Sequence, residues 1–238
     1  MGTIWWINPV GTAAFDEEVS VAIEAVRAPH HRAIVRHLDQ GPVHLEYRFY
    51  AQQVIGPVIE SVREAEAAGA QAAVVGCFFD VGLRELRECV RLPVVGMGEA
   101  SMLLASTLGH RFSVIVGRRK WVAQVEEIAL LAGMERHLIS VPAVDMSIPA
   151  AQADPAAFFT RVREAARLAV ERDGAEVIVL SEVAPPGFAR QLRSELGVAF
   201  VDPAMASWKW AEMMADLYER EAVSHAEIGA YEPPPPPA

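Results

Sequence analysis

The chain predicts an α/β fold in which parallel sheet is covered by helices on both faces. Three observations predict it. Short, continuous apolar runs of strand length recur along the chain; longer stretches with apolar residues at i, i+3 and i+4 alternate with them; and one βα unit has an echo in the second half.

Residues 3–7 read as the first strand and a segment near 33–38 as the second. A helix-period stretch at 54–68 then leads into Ala72-Ala73-Val74-Val75-Gly76, a run with no polar residue, as expected of a strand buried on both faces. Further strands are predicted at 94–96, 113–116, 138–141, 176–180 and 199–201, and further helices at 121–132, 155–172, 188–196 and 203–221. Asp154-Pro155 marks a sharp helix start, with aspartate as cap and proline at the first helical position. From Glu232 the chain becomes a polyproline tail, expected to be extended and without a catalytic role.

Composition narrows the function. The 238 residues are 52% hydrophobic and 22% charged, enough apolar surface for one large domain or two lobes. A formal net charge of −10 argues against nucleic acid or an anionic membrane as partner, since both require clustered cations. Cys77 and Cys89 are too few for a disulfide framework or a structural zinc site, and Cys89 reads as packing. No apolar run reaches the roughly 18 residues of a membrane span, and the start carries no signal-peptide pattern. A cytoplasmic protein acting on a small molecule, as a homo-oligomer, is expected.

Cys77 is the most informative residue. It follows the 72–76 strand directly, where open α/β sheets bind ligands beyond the carboxyl ends of their strands. With a helix expected to start just after it, free N–H groups would lower its pKa and favour thiolate. The echo lies at Gly174-Ala175-Glu176-Val177-Ile178-Val179-Leu180-Ser181-Glu182, where a glycine stop, a strand and a small residue precede Glu182 as they precede Cys77.

Together these stretches resemble the aspartate/glutamate/hydantoin racemase superfamily, in particular its hydantoin and allantoin racemase branch. The motifs are Ile7-Asn8-Pro9-Val10-Gly11-Thr12, Gly76-Cys77-Phe78-Phe79-Asp80-Val81-Gly82-Leu83, Pro93-Val94-Val95-Gly96-Met97-Gly98-Glu99-Ala100 and Leu108-Gly109-His110-Arg111-Phe112-Ser113-Val114-Ile115. The resemblance implies two pseudo-symmetric Rossmann-like lobes with a cleft between them and no cofactor. The expected division is 1–112 plus 206–228 for the first lobe, 113–205 for the second and 229–238 for the Pro-rich tail. It also implies proton transfer at a carbon next to a carbonyl, with one thiol on each face of the substrate. Cys77 matches the first family cysteine, and Asn8 and Thr12 match the residues that contact the substrate's polar groups. Phe78, Phe79, Asp80 and Val183 would line the substrate, with Tyr47, Phe49 and Tyr50, read as a loop before a helix, as further candidates.

The second half departs from the family pattern. Ser181-Glu182-Val183-Ala184-Pro185-Pro186 stands where a second cysteine is expected, so Glu182 takes that place. The two prolines also remove N–H donors from the loop. Partial burial beneath Pro185-Pro186 would raise the Glu182 pKa toward the working pH. Arg118, Arg119 and Lys120 are either a carboxylate anchor or a solvated basic turn. Gly96-Met97-Gly98 lacks the third glycine of a dinucleotide fingerprint. His30, His31, His37 and His44 show no metal-ligand spacing, so no metal is expected. Three functions follow: a cofactor-independent racemase or epimerase of a small amino-acid-derived or hydantoin-like substrate, with Cys77 and Glu182 as its acid/base pair; a one-thiol, cofactor-free decarboxylase of the same superfamily; or a non-catalytic small-molecule binder.

Overall fold

The computed structural model describes residues 2–235. Among them are eight strands and nine α-helices, and every predicted strand is present within a residue or two of its expected bounds. The chain divides into two units, Met1–Met97 with Ser207–Ala238, and Gly98–Ala206. That division falls at 97/98 rather than 112/113, so nearly all of helix α4 (Met97–Leu108) counts with the second unit.

The first unit contains β1 (Gly2–Asn8), α1 (Asp16–Glu24), β2 (His31–His37), α2 (Arg48–Ala67), β3 (Ala72–Val75), α3 (Leu83–Cys89) and β4 (Val94–Gly96). Its sheet is parallel in the order β2-β1-β3-β4. The register sets Ile7 beside Val75 and Val75 beside Gly96, so Asn8, Gly76 and Met97 all follow the carboxyl edge of the sheet. Strand β3 is buried at all four positions, which is why its sequence is continuously apolar. Helix α2 turns Val54, Val58, Val62 and Ala65 onto a core shared with Ile7, Ala73, Val75, Leu83 and Leu86. It begins at Arg48, so Phe49 and Tyr50 occupy its first turn and Tyr47 its N-cap; the loop expected there is absent.

Glycine is forced at Gly76. A Cβ there would lie 2.3 Å from Trp6 Nε1 and 2.8 Å from Asn8 Oδ1. The sheet therefore closes tightly one residue before Cys77.

The C-terminal segment also differs from expectation at its start. Gly229–Tyr231 forms a 3₁₀ turn, and the Tyr231 ring receives Arg87 of α3 at 5.8 Å. His225 Nε2 accepts the Val94 N–H at 2.9 Å, satisfying a donor on the outer edge of β4, the last strand of its sheet. Residues 232–235 are exposed and carry no regular structure, while the remainder of the expected tail lies outside the described residues.

The second unit repeats the plan with β5 (Phe112–Ile115), α5 (Val122–Leu131), β6 (Leu138–Ser140), α6 (Ile148–Ala153), α7 (Pro155–Leu168), β7 (Val177–Leu180), α8 (Phe188–Leu196) and β8 (Ala199–Val201); α9 (Pro203–Glu221) follows and counts with the first unit from Ser207 onward. Its order is β6-β5-β7-β8, again parallel. Asp154 caps α7 by accepting the Ala157 N–H at 2.9 Å, with Pro155 in the first turn, as the sequence predicts. Phe158, Val162, Ala166 and Leu192 pack with Ile115, Ile178 and Leu180 into the core of this unit. No helix among the described residues is long and apolar enough to cross a membrane.

Candidate active site

Cys77 is the second residue after β3, and Glu182 the second after β7. Both strands hold the third place in sheets of the same order. The two side chains therefore leave equivalent points of two equivalent units, and the sequence echo is an echo of topology.

The loop that follows Cys77 wraps around its sulfur. The Asp80 N–H donates to the Cys77 carbonyl at 3.0 Å, and Asp80 takes a left-handed φ of 49° before Gly82 at 70°. Aspartate tolerates that region better than most residues, and glycine adopts it freely. This path turns the Phe79 and Val81 N–H groups onto Cys77. Two aimed backbone donors form a small anion-binding concavity. Phe78 is buried and Phe79 half-buried, their rings meeting edge to face at 6.2 Å.

A lowered thiol pKa was expected here, and the structure corrects it. Helix α3 starts only at Leu83, so Cys77 is not at a helix N-terminus. Burial pushes the Cys77 thiol up to about 12, the nearby Asp80 carboxylate adds to the rise, and the Phe79 and Val81 donors offset only part of it. Cys77 is a protonated thiol at neutral pH, a donor rather than a ready nucleophile. The rate of alkylation at Cys77, followed by mass spectrometry to separate it from Cys89, is expected to keep climbing with pH up to pH 10. A plateau near the ordinary thiol value of about 8.5 would contradict this assignment.

Asn8 lies beside this loop at the end of β1 and is buried to 3% exposure. Its Oδ1 accepts the Trp6 indole N–H at 2.7 Å, and its Nδ2 donates to Asp16 Oδ1 at 2.7 Å. Asp16 Oδ2 in turn meets His37 Nδ1 at 2.7 Å. The amide orientation is thus set from both ends, leaving one N–H and one lone pair for a ligand. Thr12 is half-buried and its hydroxyl accepts the Ala14 N–H at 3.2 Å. Asp80 directs its carboxylate over the end of β4: a Cβ on Gly96 would fall 2.6 Å from Asp80 Oδ1.

Glu182 is fixed differently. The Ser181 hydroxyl donates to its Oε2 at 2.6 Å. Its Oε1 lies over Gly117, where an added Cβ would approach it to 3.0 Å. Glu182 and Val183 are half-buried, whereas Pro185 and Pro186 are exposed. Arg119 is exposed and lies 3.6 Å from Asp145, the solvated arrangement of that turn.

Sequence reasoning missed Asp202. It is buried, its Oδ2 accepts the Ala184 N–H at 2.7 Å and its Oδ1 the Met205 N–H at 2.9 Å. One carboxylate therefore caps α9 and pins the Glu182 loop. Burial raises its pKa against the pull of those donors and of the Ala204 N–H. The signal was present, since Asp202-Pro203 repeats the cap-and-proline pattern of Asp154-Pro155. The register makes Asp202 the counterpart of Gly96. A carboxylate thus stands at the same strand end in both units, supplied by the loop in one and by the strand end in the other.

Residues 4–209 match the model of the Asp/Glu/Hydantoin racemase family. The chain belongs to that family. It is 33% identical to the hydantoin racemase of Paenarthrobacter aurescens over 212 residues, 89% of this chain and 90% of the relative. Identity to the hydantoin racemase of Pseudomonas sp. (strain NS671) is 32% over 211 residues, 89% of this chain and 85% of the relative. Among solved structures, allantoin racemase from Klebsiella pneumoniae superposes with a TM-score of 0.90 at 26% identity, covering 100% of this chain and 96% of that one. Arylmalonate decarboxylase, at 20% identity and a TM-score of 0.64, shares the fold. These relatives make the chain an isomerase of the racemase type.

Proposed function

We propose that this racemase inverts a carbon acid next to a carbonyl in a hydantoin-like substrate, using Cys77 and Glu182 on opposite faces of that carbon and no cofactor. The observation that carries the reading is the equivalence of the two positions, each second after the third strand of its sheet. Inversion requires an acid opposite the base, and a protein built from two like units offers one such group from each.

The chemistry follows from the protonation states. The Glu182 carboxylate takes the α-proton, and the bonding pair delocalises onto the adjacent carbonyl oxygen. The Cys77 thiol, held protonated by burial, then delivers its proton to the other face. The opposite enantiomer leaves behind a Cys77 thiolate and a Glu182 carboxylic acid. In that state the Phe79 and Val81 N–H groups hold the sulfur charge. The same form runs the reverse reaction, with thiolate as base and carboxylic acid as donor. Asn8, with its amide set by Trp6 and Asp16, is suited to a polar group of the substrate ring. Phe79, two residues after the thiol and half-buried, offers apolar surface to the substituent on the inverted carbon.

The hydantoin racemases among the relatives favour a hydantoin as substrate, and the carbon to be inverted must carry a proton and one substituent. Incubation of each pure enantiomer near neutral pH is expected to take the optical rotation to zero with the mass unchanged. Persistence of rotation for both enantiomers across aliphatic and aromatic hydantoins would reject the substrate class. Release of carbon dioxide from a disubstituted malonate, with no racemisation, would move the enzyme to the one-thiol decarboxylase reading.

A further inference from the structure

We propose that the first unit carries a divalent transition-metal site, of the kind zinc fits, formed by His30, His31 and Asp216. These residues hold three ligand atoms that all lie within 4.8 Å of one another. His31 Nε2 is 3.4 Å and His30 Nε2 3.6 Å from the same oxygen, Asp216 Oδ1. Ligands of a tetrahedral zinc, with bonds of about 2.0–2.1 Å, stand about 3.3 Å apart, so both separations need only small adjustment. His30 is the ligand free to make it, its side chain being 60% exposed.

A second observation concerns the other nitrogen of His31. The ring is buried to 1% exposure, and among the described residues its Nδ1 has no hydrogen-bond partner. A buried, unsatisfied imidazole nitrogen carries a desolvation cost. Glu212 Oε1 lies 3.7 Å from it, already held by the Ala28 N–H at 2.7 Å and the Trp208 indole N–H at 2.9 Å. Metal-bound histidines commonly donate their second ring N–H to a carboxylate, and closing the 3.7 Å gap to Glu212 Oε1 would fix the tautomer that leaves Nε2 for the metal. Gly2 keeps the Nε2 side open: a Cβ there would come within 2.9 Å of His31 Cδ2 and 3.4 Å of Nε2.

The position argues for a structural role. His31 begins β2, whereas Cys77 follows the end of β3, so in a parallel sheet the two occupy opposite edges. The metal would tie the turn before β2 to α9, which supplies Asp216 and Glu212.

The test is zinc titration of the full chain by calorimetry, with cobalt as a spectroscopic probe of coordination. A background of Cys77→Ser with Cys89→Ser removes the thiols as competing ligands. One equivalent of zinc is expected to bind and to raise the Tm, with His30→Ala and Asp216→Asn each weakening binding by about tenfold or more and abolishing the rise. Both substitutions fall at exposed or half-exposed side chains, so the metal-free Tm should stay near that of the background. No zinc binding, or binding unchanged by either substitution, would overturn the site.

Discussion

Replacing Cys77 by alanine is expected to lower racemisation by about 100- to 10,000-fold, the contribution of a general acid or base placed at the reacting carbon. Folding should survive, because the side chain lost is small and the loop is held by backbone bonds of its own, such as Asp80 N–H to the Cys77 carbonyl. Cys77→Ser makes the chemical case. Serine keeps the size and the contact with the Phe79 and Val81 donors, but its hydroxyl yields a proton far less readily than a thiol. A serine variant as slow as the alanine variant assigns the loss to proton transfer; a serine variant near wild type would assign Cys77 to packing. The pH profile adds a signed test. Because the protonated thiol is the donor and its pKa is pushed up to about 12, activity that depends on it persists well above pH 9 and falls only as pH approaches that value. An alkaline limb centred near the ordinary thiol value of about 8.5 would contradict the buried-thiol account.

Glu182→Gln is expected to cost about 100-fold or more in racemisation, again the range of a general acid or base. Glutamine preserves the length of the side chain and can still accept from the Ser181 hydroxyl, so the loop should hold its shape. Asp202 provides the contrast. Asp202→Asn leaves an acceptor for one of the two N–H groups that Asp202 Oδ1 and Oδ2 now serve, and the loss is expected to be mainly in stability. A large effect at Glu182 with unchanged Tm, beside a Tm loss at Asp202, separates chemistry from positioning.

Much of the fold was legible in the chain. Strands such as β3 and β7 announce themselves because strands buried on both faces must be apolar throughout, and the glycine stops before them are equally local signals. The place of Cys77 and Glu182 was legible for the same reason, since each follows its strand directly. The state of the thiol was not. The sequence shows that backbone donors are close, but burial decides the sign of the pKa shift, and burial is a property of the packed loop. The anchoring of Asn8 by Asp16 and His37 joins segments whose proximity only the β1–β2 pairing creates. The cluster of His30, His31 and Asp216 was hidden likewise: two ligands are adjacent, while the third comes from the last long helix. The docked turn at Tyr231 escaped because its hold on Arg87 lies in a segment whose composition reads as a tail, and the hold of His225 on Val94 joins residues far apart in the chain.

Two-face proton transfer makes a demand that a one-base mechanism does not, and hydrogen exchange in deuterium oxide measures it directly. The wild-type enzyme should place deuterium at the α-carbon of both enantiomers while racemising them. In Glu182→Gln only the enantiomer whose proton faces Cys77 should exchange, with retention of configuration and only as rising pH ionises the thiol, whose pKa is pushed up to about 12. In Cys77→Ala only the other enantiomer should exchange. Complementary, enantiomer-specific exchange in the two variants is the result this account predicts. Exchange of the same enantiomer in both variants, or racemisation by Glu182→Gln at the wild-type rate, would contradict it.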